Sequence, residues 1–239
     1  SRAVLGVQNA DGSWQAVPLT DDHQPSNPRE LERLINDHPG EENTVAFRSG
    51  RGPMRVLGGM MPSRAFGDAM YKWPLSTQRV IEAVFETRGA PPPMMSRTPP
   101  YCRTPPYMTA SPEIIHRPLA PTDRFLIIAT DGLFDALTSS EAVQIVSDHL
   151  CGMGDTDGGG TASAASALVW AALSASGGGS RAVSVMLTLP KGESRKYRDD
   201  ITVLVVVFER PGAQGSAAGA EGVSEVEVPV GGCKLVIRE

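Results

Sequence analysis

Two groups of carboxylates border the two most apolar runs of this 239-residue sequence. Asp131, with Asp135 four residues on, follows Phe125-Leu-Ile-Ile-Ala-Thr130, while Asp199 and Asp200 precede Ile201-Thr-Val-Leu-Val-Val-Val-Phe208. If the two runs are antiparallel neighbours in one sheet, these carboxylates meet at one end of it. Ionised carboxylates gathered there repel one another unless protonated or neutralised, and a hard divalent cation neutralises them with oxygen ligands alone. The sequence offers no Cys/His set for a softer metal, so Mg2+ or Mn2+ is the ion the pattern suits. Each group alone has a plainer reading, because Asp-Gly after a strand is an ordinary turn and Asp before a strand is a solvated cap. Taken together with Ser63-Arg-Ala-Phe-Gly-Asp68, the pattern becomes specific.

The elements that must position these residues are legible in part. Runs 2–7 and 13–19 flank Asp11-Gly12, whose glycine supplies the positive φ of a hairpin turn. Asn27-Pro28-Arg29-Glu30 combines an N-cap, a proline at the first helical position and a Glu completing a capping box, so a helix is expected over 28–38. A strand-like piece is expected over 55–61 and a helix over 77–86. Regular structure is expected to resume at 113–116, followed by a strand over 124–130 suited to a sheet covered on both sides. Thr138-Ser-Ser-Glu141 is a capping box opening a helix, and an Ala-rich helix with Ala165, Leu168, Val169 and Ala172 on one stripe lies between Gly-rich segments. Between 89 and 112 lies a Pro-rich stretch holding a short duplication, Arg97-Thr-Pro-Pro-Tyr101 and Arg103-Thr-Pro-Pro-Tyr107. It reads as a solvated surface loop rather than a partner's ligand. The expected organisation is a domain over 1–210 and a peripheral tail over 211–239, with a terminal hairpin from 223–228 and 234–237.

Composition sets the outer bounds. With 41% apolar and 21% charged residues, the chain can build a sizeable core. Its net charge of −5, without any run of Lys and Arg, argues against a nucleic-acid or anionic-membrane surface. Cys102, Cys151 and Cys233 are odd in number, far apart and without a Cys-x-x-Cys pair, which reads as free thiols in a reducing compartment. The longest apolar-rich stretch, 201–208, is too short to span a bilayer. The sequence opens as if in mid-strand, without an initiator Met or targeting segment, and reads as a fragment.

The sequence resembles the metal-dependent protein serine/threonine phosphatases of the protein phosphatase 2C type. The resemblance rests on Ser1-Arg2, Asp22-His23-Gln-Pro-Ser-Asn27, Gly58-Gly59, Ser63-Arg-Ala-Phe-Gly-Asp68, Thr130-Asp-Gly-Leu-Phe-Asp135 and Arg198-Asp-Asp-Ile-Thr-Val203, in order from residue 1 to about 210. Within that family the sequence looks most like the pyruvate dehydrogenase phosphatase branch, through Glu30-Leu-Glu-Arg-Leu34 leading to His38-Pro39, Tyr71-Lys-Trp73, Arg79-Val-Ile-Glu82, Thr104-Pro-Pro-Tyr-Met-Thr-Ala110 and Tyr197-Arg-Asp-Asp200.

The resemblance implies an α+β fold, an α-β-β-α sandwich of two antiparallel sheets flanked by helices, here without its N-terminal part. It implies a binuclear Mg2+ or Mn2+ centre with Asp131 and Asp199 as ligands and Asp135 at a looser third site. Gly132 and Asp200 are given supporting roles, and Arg64 and Asp68 look like organising residues near the cleft. A mobile flap is implied between about Asn36 and Arg64. No catalytic residue beyond the metal ligands is assigned, since the family's Asp-Gly-His-Gly motif, general-acid His and phosphate-gripping Arg do not occur in this sequence. The implied activity is hydrolysis of phosphoserine and phosphothreonine by metal-activated water, without a phosphoenzyme. The implied substrate is a phosphoprotein of a dehydrogenase complex, pyruvate dehydrogenase by branch, in the mitochondrial matrix; without the kinship the compartment would read as cytoplasmic. Two readings follow: the C-terminal part of an active phosphatase, with weak or no activity alone, or a non-catalytic binding or regulatory domain.

Overall fold

The computed structural model describes residues 1–89, 97–152, 163–175, 177, 179–190, 193, 197, 199–209, 229–230 and 233–235. Along the chain the elements are β1 (Arg2–Gln8), β2 (Trp14–Pro18), α1 (Pro28–Asp37), β3 (Ala46–Arg48), β4 (Met54–Val56), a 3-10 turn (Ala69–Tyr71), α2 (Leu75–Thr87), β5 (Asp123–Ala129), α3 (Asp131–Phe134), α4 (Ser139–Leu150), α5 (Ala164–Ser174), α6 (Gly179–Thr188), β6 (Val203–Glu209), β7 (Pro229–Val230) and β8 (Cys233–Leu235). The fold is α+β, with antiparallel sheets flanked by helices, as the sequence led us to expect. The chain divides into two compact units, residues 1–20 with 115–239, and residues 21–114.

The first unit holds an antiparallel sheet in the order β2-β1-β5-β6-β8-β7. The β1–β2 hairpin closes at Asp11-Gly12, where the Asp11 carboxylate accepts from the Ser13 backbone N–H and hydroxyl. Along β5 burial alternates, and Phe125, Ile127 and Ala129 enter a core with Val4, Leu133, Val143, Val146 and Leu168. α4 starts as the sequence indicates: the Thr138 side chain accepts from the Glu141 N–H, and Glu141 returns the bond to the Thr138 N–H. In α5 the buried residues are Ala164, Leu168, Ala172 and Leu173: Leu168 and Ala172 belong to the expected stripe, while Ala164 and Leu173 are buried in place of Ala165 and Val169.

Both faces of β5 and β6 carry apolar residues, and burial on the face away from the helices is uneven: Leu5 and Val206, level with Leu126, are 1% and 8% exposed there. Ile128 and Leu204, paired on the face away from the helices, are 41% and 42% exposed.

The second unit has its own core, in which Leu34, Val45, Val56, Leu57, Tyr107 and Met108 are buried. α1 begins at Asn27, whose side chain accepts from the Arg29 N–H, with Pro28 at the first helical position. Its Glu30 does not complete the expected capping box, because buried cationic and hydroxyl partners capture the carboxylate instead. The expected strand over 55–61 is cut at Val56. Positive φ at Leu57 and Gly58 turns the chain so that only a single bridge, Val56 to Met60, continues. Residues 113–116, expected to be regular, form neither strand nor helix. β3 and α6 went unread in the sequence, and β4 was anticipated only through residues 55–56: the strands have three residues each, and α6 opens on glycine. Part of the Pro-rich loop (90–96), the Gly-rich stretch 153–160 and the anticipated hairpin strand 223–228 lie outside the described residues.

Candidate active site

The pairing of β5 with β6 runs from Phe125 opposite Val207 to Ala129 opposite Val203, so the chain leaves β5 where it enters β6. Asp131 stands two residues beyond that last pair and Asp199 four residues before it. β1 begins at the same end, with Arg2 opposite Ala129. One end of the large sheet thus gathers Arg2, Asp131, Asp135, Asp199 and Asp200, and the four carboxylate residues are exposed.

Local contacts hold the two acidic segments together. Thr130 occupies the N-cap of α3, yet its side chain makes no cap bond to that helix. Its Oγ1 instead donates to the Asp200 carbonyl at 3.1 Å and accepts the Thr202 N–H at 3.0 Å, while the Thr130 N–H donates to the Thr202 carbonyl at 3.1 Å. Gly132 lets the segments approach: a Cβ there would stand 2.4 Å from the Asp200 carbonyl oxygen, closer than any side chain tolerates. Asp135 caps the C-terminus of α3 and donates its N–H to the Asp131 carbonyl at 2.7 Å. The Asp200 N–H donates to Asp199 Oδ1 at 2.8 Å. Beside them the Arg2 guanidinium lies 4.7 Å from the centre of the Phe134 ring and donates to Ser139 Oγ at 3.3 Å.

A cleft of about 390 Å³ opens at this end, lined on its acidic side by Gly132, Asp135 and Asp199 and on its apolar side by Leu173, Met186 and Tyr197. Oxygen donors in water's reach suit a hard divalent ion. Among the described residues, however, no three His, Cys, Asp or Glu side chains come together closely enough to hold an ion by themselves. The exposed carboxylates match the expected metal in chemistry.

Arg64 and Asp68 belong to the second unit. Arg64 is committed to Glu30, through Nε at 3.1 Å and Nη2 at 2.6 Å, and its Nη1 donates to the Ser111 carbonyl at 3.3 Å. Ser63 Oγ donates to the same carboxylate at 2.5 Å, and Arg33 adds a further bond at 3.1 Å. Burial alone would raise the Glu30 pKa, but Arg64, Ser63 and Arg33 together outweigh it and hold the carboxyl at about 2. The Glu30 partnership in turn pushes the Arg64 guanidinium up. Asp68 sits at φ 47° at the head of the 3-10 turn, without a side-chain cap bond.

Thr130, Leu173 and Met186 were given no role from sequence, and Glu30 only a capping one. A threonine on each side of the junction, at 130 and 202, was the available signal for the first. Met186 escaped notice because α6 did.

The family model described as protein phosphatase 2C matches residues 1–175. A protein phosphatase 2C homolog of Schizosaccharomyces pombe is 40% identical over 231 residues, covering 87% of this chain and 48% of the relative. Human pyruvate dehydrogenase (acetyl-transferring) phosphatase 1, mitochondrial, is 38% identical over 246 residues, covering 87% of this chain and 44% of the relative. The chain thus spans about half the length of these curated relatives. Among solved structures, a serine-threonine phosphatase 2C from Toxoplasma gondii aligns with a TM-score of 0.43 at 21% identity, over 87% of this chain and 52% of that one. With the family model covering the β1–β5 pairing, the Asp131 turn and α4, the chain belongs to the protein phosphatase 2C family.

Proposed function

We propose that this chain is part of a protein serine/threonine phosphatase whose reacting centre forms at the acidic end of the large sheet. The observation that carries this reading is the junction of β5 with β6, where Thr130 and Gly132 fasten the segment of Asp131 to that of Asp199 and Asp200. Asp131 and Asp199 would hold two Mg2+ or Mn2+ ions and Asp135 a looser third, with further donors, a general acid and a phosphate-gripping Arg supplied from outside these 239 residues. When bound, such ions supply a water that is acidic near neutral pH and neutralise charge on the phosphoryl oxygens. The chain's own residues do the positioning. The tight turn of α3 fixes Asp131 relative to Asp135, the Thr130 hydroxyl fixes Asp131 relative to Asp199, and Arg2 places positive charge at the same rim. In the second unit, Arg64 and Asp68 organise the loop at 63–68.

The substrate is a phosphoprotein, and kinship with pyruvate dehydrogenase phosphatases nominates a dehydrogenase complex in the mitochondrial matrix. One observation favours a second reading, a non-catalytic binding or regulatory domain: the described residues contain no three-donor cluster. The test is hydrolysis of a phosphoserine peptide, with and without Mn2+, by these 239 residues alone and by the product of the full coding sequence. Mn2+-dependent turnover by the longer product, much weaker in the shorter one, supports the enzyme. Its absence from both overturns it.

A further inference from the structure

We infer that Thr130 is a positioning residue for the metal-binding carboxylates, acting through its hydroxyl on the backbone of the opposite acidic segment; this rests on the phosphatase reading. An N-cap threonine ordinarily turns its oxygen onto its own helix, satisfying an N–H two or three residues on. Thr130 occupies the N-cap of α3 and forgoes that bond. Its hydroxyl crosses to the other segment, donating to the Asp200 carbonyl and accepting from the Thr202 N–H. The regular ladder stops at Ala129 opposite Val203; the Thr130 N–H, donating to the Thr202 carbonyl, and the Thr130 hydroxyl together carry the pairing one step past the last strand residues. That step reaches the stretch from which Asp199 projects. Gly132 closes the junction from the other side, its α-carbon against the Asp200 carbonyl.

Exposed bonds like these add little to global stability, because water replaces them when they are lost. Relative placement of ligands is a different matter, since a metal site is sensitive to the outer partners that orient its donors. Removing the hydroxyl therefore loosens Asp199 relative to Asp131 while leaving the core intact. The methyl group of valine fills the volume of the hydroxyl but offers neither bond, and serine restores both.

The experiment uses the product of the full coding sequence, wild type, Thr130→Val, Thr130→Ser, Asp131→Asn and the core control Val205→Ala. Mn2+ is titrated directly by calorimetry, alongside melting temperature without metal. Thr130→Val is expected to weaken Mn2+ binding by about ten- to a hundredfold, the range for lost outer partners, at a melting temperature within that of Val205→Ala. Thr130→Ser is expected to bind within about twofold of wild type, far inside a single decade of affinity. If Thr130→Val binds Mn2+ like wild type, or Thr130→Ser fails as badly as Thr130→Val, or Val205→Ala loses as much affinity, the positioning role is overturned. If Asp131→Asn binds Mn2+ as wild type does, the metal reading itself fails and this inference falls with it.

Discussion

The two units treat carboxylates in opposite ways. In the second unit, Glu30 and Glu41 are buried at 3% and 5% exposure, and each is surrounded by donors from its own chain. Arg64, Ser63 and Arg33 converge on Glu30, while the Thr104 and Tyr107 hydroxyls donate to the two oxygens of Glu41 at 2.6 and 2.5 Å. In the first unit, Asp131, Asp135, Asp199 and Asp200 stand exposed around a cleft at the end of a sheet. Burying a charge is costly unless it is paired and hydrogen-bonded, so the glutamates hold the fold together. The aspartates at the cleft are exposed rather than enclosed in this way, so their burial costs the fold nothing.

The sharpest way to break this contrast is to neutralise one acid on each side. Asp131→Asn in the full-coding-sequence product is expected to lower Mn2+-dependent turnover by more than about 100-fold, exceeding the loss from an outer partner, with an unchanged melting temperature in the absence of metal. Normal phosphopeptide kinetics would remove Asp131 from the site. Glu30→Gln should do the reverse to stability, costing about 3–5 kcal/mol, as when one partner of a buried pair is removed. Urea midpoints measure it, and a loss under 1 kcal/mol would mean that Glu30 is not the keystone of its cluster.

Glu30 also gives the comparison a pH axis. Its folded pKa of about 2 lies below the ordinary value of 4.5, so its contribution is fully present above pH 4.5 and drains away as pH falls toward 2. The stability gap between wild type and Glu30→Gln should therefore narrow across that window. A gap that stays constant from pH 6 to pH 3 would contradict the depressed pKa.

Smaller changes refine the picture. The Tyr107 hydroxyl donates to Glu41 and accepts the N–H groups of Arg103 and Thr104. Tyr107→Phe is expected to cost about 1–3 kcal/mol, the penalty of stranding a buried polar partner, readable from thermal melts. At the bottom of the scale, Arg29 pairs with Asp21 and Glu113 on the surface. Arg29→Ala should leave the melting temperature within experimental error, because screened surface pairs contribute little.

The Arg-Thr-Pro-Pro-Tyr duplication repeats the lesson on a smaller scale. Tyr107 of the second copy is fully buried, stacked on His38 with ring centroids 4.1 Å apart. Tyr101 of the first is 54% exposed and touches Phe47 edge-on. The tyrosines of identical five-residue strings have different fates, and the reading of the whole stretch as a solvated loop misses Tyr107 and the buried Pro99. The difference lies in Glu41 and His38, more than sixty residues earlier in the chain.

Local chemistry was enough for much of this protein. Caps and turn residues announced α1, α4 and the first hairpin, and two apolar runs bordered by aspartates announced β5, β6 and the candidate site, because each signal lies within a few residues of its effect. Tertiary structure alone decided what depends on distant partners: that Glu30 abandons its capping role for Arg64, and that Thr130 turns from its own helix to the opposite strand. Such choices compare a nearby bond with one offered by residues tens of positions away, and only the folded chain brings both alternatives within reach of the same atom.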